Sequence, residues 1–484
     1  MPTRHAGVLL HPSSLPGPGP IGELGPYAFA FIDWLAESGL DRWQVLPLHP
    51  VGAGESPYAS PSGFAGDARL VSVEELIREG LLEPTTLPWG GEAGDPELVR
   101  AWKLPLVRAA GARVAEDPAC VAWAATQDWL DEWTLYAALA ERHGGGWPDW
   151  PSADRSPTSP LRVELAEAMR CETGVQFLFD RHWQAVRARA RAQGIAIVGD
   201  LPLYVSGDGC DVWANRRLFR FDENGDADPV AGVPPDYFSP TGQRWGNPTY
   251  DWKVHAAEGF DWWVRRLRRE LDLVDIVRID HFRGLVASWV IPGGETDARK
   301  GRWEPGPGRA LFDALAAGLG RLPLIAEDLG EITPDVTELR TALGLPGMKV
   351  LQFAFGDGAD HPFLPHNFEN PGFVAYTGTH DNDTTAGWYL RTDEATRHRF
   401  RRYTGRDGSD VGWAMLREAW ASIAHTAIAP IQDVIGAGTN ARMNTPGVPE
   451  GNWLWRLRDL PWERSEVVRV LSQTFGRGQR QSAD

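Results

Sequence analysis

A (β/α)8 TIM barrel carrying large, mainly helical insertions is the fold class this sequence predicts, and three observations predict it. Short apolar runs alternate with helical patterns along the 484-residue chain, which is the signature of a parallel sheet wrapped by helices. Seven or eight such runs are legible, the number a closed barrel needs. Several of them end in, or run shortly before, an acidic residue, and the strands of such a barrel all deliver their C-terminal ends to one rim.

Taken in order, Gly7-Val8-Leu9-Leu10 reads as the first strand, followed by a Pro/Gly-rich loop and a helix over about 26–38. Arg42-Trp43-Gln44-Val45-Leu46-Pro47 reads as the second. Ile195-Ala196-Ile197-Val198-Gly199-Asp200 follows a helix rich in Ala and Arg and ends in an acid. Runs at 273–279, 324–326, 350–355 and 373–376 continue the series. The stretch 73–190 is helical, Trp-rich and broken by prolines, far beyond a βα loop of about 2–6 residues, so it reads as a helical insertion subdomain. A second insertion is expected at 203–263, and the tail 476–484 is expected to fray. The whole of 1–484 then reads as one elaborated barrel; the chain shows no repeat at a solenoid period.

Bulk composition narrows the partners. A net charge of −17 argues against nucleic acid or an anionic membrane and suits a protein acting on neutral ligands. Gly and Pro number 53 and 38, a loop-rich content of roughly a fifth, still below the about 25–30% of disordered chains. Cys120, Cys171 and Cys210 are far apart and odd in number, which gives neither a disulfide framework nor a metal spacing and points to a reducing cytoplasm. The N-terminal residues lack the long apolar stretch of a signal peptide, and no run of about 18 apolar residues occurs elsewhere. Trp outnumbers Tyr by 23 to 9; most of these rings are expected to pack in the core or on the general surface, with a minority free to stack on sugar faces.

Chemistry concentrates in three segments: Val277-Arg278-Ile279-Asp280-His281-Phe282-Arg283-Gly284, Ile325-Ala326-Glu327-Asp328-Leu329-Gly330 and Thr379-His380-Asp381-Asn382-Asp383. Any one acid alone reads as a helix cap or a salt-bridge partner. Three on one rim, flanked by Arg and His, suit glycosidic-bond chemistry. Cleavage with retention needs a carboxylate nucleophile and a carboxylic acid about 5–5.5 Å away. Asp280 is the nucleophile candidate, because Arg278 two residues earlier leaves the same strand face and supplies its counter-charge. Glu327, ending an apolar strand, is the acid/base candidate, since a desolvated site rich in carboxylates favours its protonated form. Asp381 is the candidate for holding ring hydroxyls and steadying an oxocarbenium-like transition state.

These segments, with Asp200 ending the third strand, resemble the four motif regions of the α-amylase superfamily. The rest of the chain resembles glycoside hydrolase family 77, the 4-α-glucanotransferases. The matching motifs span nearly all of it: Leu10-His-Pro-Ser-Ser-Leu-Pro-Gly, Trp43-Gln-Val-Leu-Pro-Leu, Ser56-Pro-Tyr, Ala231-Gly-Val-Pro-Pro-Asp-Tyr-Phe-Ser, Gly242-Gln-Arg-Trp-Gly-Asn-Pro, Gly344-Leu-Pro-Gly-Met-Lys-Val-Leu-Gln-Phe-Ala-Phe, Tyr376-Thr-Gly-Thr-His-Asp-Asn-Asp-Thr and Gly451-Asn-Trp. The resemblance implies Asp280 as nucleophile, Glu327 as acid/base and Asp381 as transition-state stabiliser. It implies that Arg278, His281, His380 and Asp200 hold the sugar beside the cleavage point, and that Tyr58, Trp245, Phe353 and Asp357 line the groove. It implies a lid over 232–248 that excludes water and places an acceptor hydroxyl, malto-oligosaccharides and α-1,4-glucans as substrates, and no cofactor or metal. Departures from the family's pattern stand at His49, Gly356 and Thr445, where a small residue, an acid and an aromatic are usual.

Other signals are set aside. Gly17-Pro-Gly-Pro-Ile-Gly22 fits a dinucleotide loop formally, but its prolines remove the amide donors such a loop needs. Asp222-Glu-Asn-Gly-Asp-Ala-Asp lacks the glycine and the bidentate glutamate of a calcium loop and reads better as a hairpin on Asn224-Gly225. His361 and His366 read as structural. Two alternatives stay open at this level: a hydrolytic enzyme of the α-amylase type using the same acids, and a glucan-binding protein without turnover.

Overall fold

The computed structural model describes residues 4–88, 91, 93–235 and 239–479. In chain order its strands are β1 (His5–Leu9), β2 (Arg42–Gln44), β3 (Ala196–Leu201), β4 (Val230–Val233), β5 (Gln243–Pro248), β6 (Ile276–Ile279), β7 (Ala287–Ile291), β8 (Arg302–Pro305), β9 (Leu324–Ala326), β10 (Gly347–Val350), β11 (Phe373–Tyr376) and β12 (Thr426–Pro430). Eight of them form one sheet in the order β10-β11-β12-β1-β2-β3-β6-β9, and every pairing in it is parallel. The two ends of that order meet where the Ala326 amide donates to the Pro346 carbonyl, 2.9 Å away, just ahead of β10. The sheet thus curls into the expected (β/α)8 barrel.

Side-chain parity explains both layers of core. Leu9, Val198, Ile325, Met348, Val350, Val374, Tyr376 and Ile428 cluster together, while their chain neighbours Val8, Ile197, Leu324, Phe373 and Ala427 belong to the larger cluster shared with the helices. Alternate residues of a strand leave opposite faces, so the first set fills the barrel and the second packs outward. The helix Pro26–Glu37 starts on a proline that fits its first turn and sets Phe31 edge-on against Trp43 of β2, ring centres 5.2 Å apart. The long helix Ala166–Ala192 crosses Leu104–Val114 closely enough that a Cβ on Gly174 would lie 2.0 Å from the Gly111 carbonyl oxygen.

Three features differ from the sequence reading. The apolar run at 350–355 is not a strand: β10 ends at Val350 and Leu351–Phe355 forms a 3-10 turn, because a short apolar run carries no period to separate the two. β12 was not read, since Thr-Ala-Ile-Ala-Pro is too poor in β-branched and aromatic residues to announce a strand. A second, antiparallel sheet β5-β4-β7-β8 was also not read. Two of its strands come from the expected lid segment and two from the chain directly after β6. Residues 236–238 of that lid segment lie outside the described residues.

Other expectations meet direct observations. Phe221 bridges Ala227, and Asp222 Oδ1 accepts from the amides of Asn224 and Asp226, as a hairpin on Asn224-Gly225 requires. His366 holds Tyr403 Oη and the Ala359 carbonyl, each at 3.0 Å. The described start of the expected frayed tail is instead tied down: Arg477 is buried, and the Gln479 amide donates to the Gly39 carbonyl at 3.0 Å. Residues 480–484 lie outside the described residues.

Candidate active site

Parity carries the chemistry to the barrel mouth. On β3 the inward series Val198 continues to Asp200, on β6 Ile276 continues to Arg278 and Asp280, and after β9 Ile325 continues to Glu327. Asp200 and Arg278 are register partners on adjacent strands. Arg278 Nη1 accordingly donates to Asp200 Oδ1 at 2.6 Å and to Asp280 Oδ1 at 2.9 Å, bridging two carboxylates with one guanidinium. Asp200 is fully buried whereas the Asp280 side chain is 30% exposed, so the reachable acid of the pair is Asp280.

Glu327 is seated by its neighbour's backbone. Its own amide donates to the Ile279 carbonyl at 3.0 Å, continuing the β6–β9 ladder beyond the strand ends. Glu327 Oε2 accepts from the His281 amide at 2.7 Å and Oε1 from the Leu329 amide at 2.8 Å. The residue that follows Asp280 therefore holds Glu327, and the two acids are brought together. Burial pushes the Glu327 carboxyl up to about 7, with Asp280 adding to the rise and Arg278 and the two amides opposing it. Burial likewise raises Asp200 to about 6, against the pull of Arg278.

Asp381 stands in the opposite regime. Burial alone would raise it, but His380, Asn444 and Arg278 outweigh that and bring it down to about 2. His380 Nε2 lies 3.4 Å from Asp381 Oδ1, and Asn444 Nδ2 donates to the same oxygen at 2.6 Å. The loop that carries them is anchored below. Asp433, just past β12, accepts from Thr377 Oγ1 at 2.5 Å and from the Thr385 amide and hydroxyl at 2.7 Å each. Burial also opposes charge on His380, yet Asp381 raises its affinity for a proton.

Tyr58 closes one side. Its hydroxyl donates to Asp200 Oδ2 at 2.9 Å and sits 3.5 Å from His380 Nδ1, and its ring stacks on His380 with centres 4.9 Å apart. On the other side Trp245 of β5 meets the His281 ring edge-on at 4.9 Å. The structure thus brings together Asp280, Glu327, Asp381, Asp200, Arg278, His281, His380, Tyr58 and Trp245. Phe353, half-buried on the turn after β10, packs on the cluster that fills the barrel. Asp357 is not drawn in: its side chain is 80% exposed and its ion contact, at 3.9 Å, is with His361.

Two residues of the site were not singled out from the sequence. Asn444 is one. The other is Trp453, whose ring lies 5.7 Å from Tyr58 and 5.8 Å from His380 and whose backbone takes the left-handed φ of 66°. Asn452 secures that bend by accepting from the Thr445 amide at 2.9 Å and donating to the Val448 carbonyl at 2.7 Å. Trp453 ends the matching motif Gly451-Asn-Trp, to which the sequence reading gives no role, and Asn444 stands beside Thr445, one of the departures from the family's pattern. Gly451 and Asn452, turn-favouring residues set directly ahead of a Trp, were the available signal.

Comparison with known proteins places this architecture. The family model described as 4-alpha-glucanotransferase, glycoside hydrolase 77, matches residues 10–461. A 4-alpha-glucanotransferase from Thermus thermophilus is 46% identical over 483 residues, covering 96% of each chain. A 4-alpha-glucanotransferase from a Synechocystis species is 45% identical over 473 residues, covering 94% of each. Among solved structures, an amylomaltase from Streptococcus agalactiae in complex with acarbose superposes with a TM-score of 0.94 at 32% identity, covering 99% of this chain and 100% of that one.

Proposed function

The chain belongs to glycoside hydrolase family 77, the 4-alpha-glucanotransferases, and from that premise we propose how its site moves an α-1,4-glucan segment from one maltodextrin to another. In the first step the Glu327 carboxyl gives its proton to the glycosidic oxygen while Asp280 attacks the anomeric carbon. The bond to the departing glucan breaks, and an ester between Asp280 and the donor glycosyl forms. In the second step the Glu327 carboxylate takes the proton of an acceptor's 4-hydroxyl, whose oxygen displaces Asp280. Two inversions give net retention. Asp381, ionised and clamped by His380 and Asn444, opposes the positive charge that develops on the sugar ring.

One observation carries this reading. Carboxylates on a single rim are held in different surroundings. Glu327 is buried, which favours its protonated form near neutrality against the pull of the His281 and Leu329 amides. Asp381 is clamped by His380 and Asn444, which keeps it ionised, the division of labour between an acid/base and a charge stabiliser. Asp200, Arg278, His281, His380 and Tyr58 hold the cleaved sugar, and Trp245 and Phe353 line the groove. Support for Trp245 as a lid residue is its 39% exposure beside His281. A cytoplasmic enzyme is the compartment we infer, supported by its free cysteines.

Maltotriose tests the reaction: chromatography should show glucose and longer maltodextrins with little gain in reducing ends. Rising reducing ends without longer products would make the enzyme a hydrolase. Glu327→Gln should lower transfer by about three orders of magnitude or more while glucan binding stays measurable. Near-normal turnover in that variant removes Glu327 from its role.

A further inference from the structure

Resting on the roles given above to Asp280 and Glu327, we propose that His281 is a positioning residue. Its left-handed backbone, braced by Trp245 of the β4–β5 hairpin, fixes the amide that seats Glu327, so the lid's position decides how the acid/base is held.

The backbone supplies the first observation. His281 has φ 51° and ψ 47°, a left-handed region that disfavours a residue with a side chain. That conformation aims two successive amides at one residue: His281 donates to Glu327 Oε2 at 2.7 Å and Phe282 donates to the Glu327 carbonyl at 3.1 Å. If His281 relaxed to an ordinary conformation, the first of these contacts would be lost.

The ring supplies the second. It is lodged between Gly284, where a Cβ would come within 2.9 Å of its Cδ2, and Trp245, edge-on at 4.9 Å. Its Nε2 is buried and has no hydrogen-bond partner in the protein. Burial pushes the imidazole down to about 4, so it is neutral near pH 7. The ring thus wedges between Trp245 and the turn at Gly284, with its Nε2 left for the sugar. Trp245 is 39% exposed and belongs to the antiparallel sheet rather than the barrel, so the brace comes from a separate element.

The consequence follows from the donors. An amide that donates to a carboxylate favours its ionised form. With Trp245 in place, Glu327 yields its proton and recovers it near neutrality; with the brace withdrawn it holds the proton more tightly. The charged groups facing Glu327 are Arg278 and Asp280 of β6, with Asp200 of β3 behind Arg278. Asp328, next in its own chain, is engaged by Arg340 and the Met348 amide. Arg278, Asp280 and Asp328 are engaged by groups of the barrel, whereas the His281 ring touches Trp245 of the hairpin, so the His281 amide is the contact through which the hairpin would act. Donation of the proton to the departing glucan is thereby favoured where the lid is down and water is excluded.

The test is the pH dependence of kcat and kcat/KM for maltotriose disproportionation by the full-length enzyme. Trp245→Ala is expected to move the alkaline limb of kcat/KM upward by about one unit and to lower kcat. Trp245→Phe, which keeps an aromatic edge against His281, should leave the limb in place even if KM rises. His281→Asn, tolerant of the left-handed region, should move it less than His281→Val. A Trp245→Ala enzyme with raised KM and an unmoved limb would overturn the proposal and reduce Trp245 to a sugar contact. Should His281→Val fail to fold, the two Trp245 variants decide alone. The failures separate: turnover by Glu327→Gln defeats the assignment of the acid/base, whereas an inactive Glu327→Gln with an unmoved limb in Trp245→Ala defeats only the role of His281.

Discussion

Asn444 reaches Asp381 across 63 positions of chain to make a 2.6 Å hydrogen bond, and its neighbour Arg442 donates to the Asp381 carbonyl at the same distance. A hydrogen bond to a charged group contributes about 1.5–3 kcal/mol. Asn444→Ala is therefore expected to lower kcat about ten- to a hundredfold with little change in KM, measured as glucose released from maltotriose. The pH profile is set at the same scale. Under the proposed mechanism the donor step needs Glu327 protonated, so kcat/KM should be full below about pH 7 and fall tenfold per unit above it; a limb two units lower would contradict the buried seat described for this carboxyl. Asp381, at about 2, contributes no limb near neutrality. Asp280, Glu327 and Arg278 were legible in the sequence because strand ends announce where their side chains go. Asn444 and Trp453 were not, because their place depends on how a loop after β12 folds back across the barrel mouth, which no local pattern encodes.

Elements show where local pattern stops being informative. The run Leu351-Gln-Phe-Ala-Phe is apolar enough for a strand, yet the chain has already used Gly347–Val350 for the barrel and turns immediately afterwards. The helices of the 73–190 stretch were readable as helices, but their crossing was not, because Gly111 and Gly174 look like helix-weakening residues until they are seen to face each other. That contact makes a clean prediction. A Cβ at Gly174 would lie 2.0 Å from the Gly111 oxygen, so Gly174→Val must push the two helices apart. A loss of about 1–3 kcal/mol is expected, read as a lower midpoint of thermal unfolding with kcat unchanged once folded. An unaltered midpoint would show that the crossing has slack.

At the scale of the whole molecule, β1 and β12 are the first and last strands of the barrel and are direct neighbours, so the closed sheet is sealed by joining the two ends of the chain. Arg477 fastens that seam: it donates to the carbonyls of Trp420, Ser422, Ala424 and His5 at 2.7 to 3.1 Å. Burial pushes its guanidinium down to about 9, a sign of how far it is withdrawn from water. Arg477→Met strips its donors from those carbonyls, leaving Arg4 alone on Trp420 and Ser422, and is expected to cost about 2–4 kcal/mol, seen as faster inactivation on heating. Retention of wild-type heat resistance would mean that the seam holds without it. The antiparallel sheet has a different kind of consequence. Its β4 and β5 precede the strand of Asp280 and its β7 follows directly after that strand, so the proposed cover and the proposed nucleophile are alternating stretches of one thread. An exchangeable cassette is therefore not available here. Grafting a foreign roof onto this barrel, or this roof onto another, requires two separated insertions that meet in register, and evolution faces the same obstacle as the engineer.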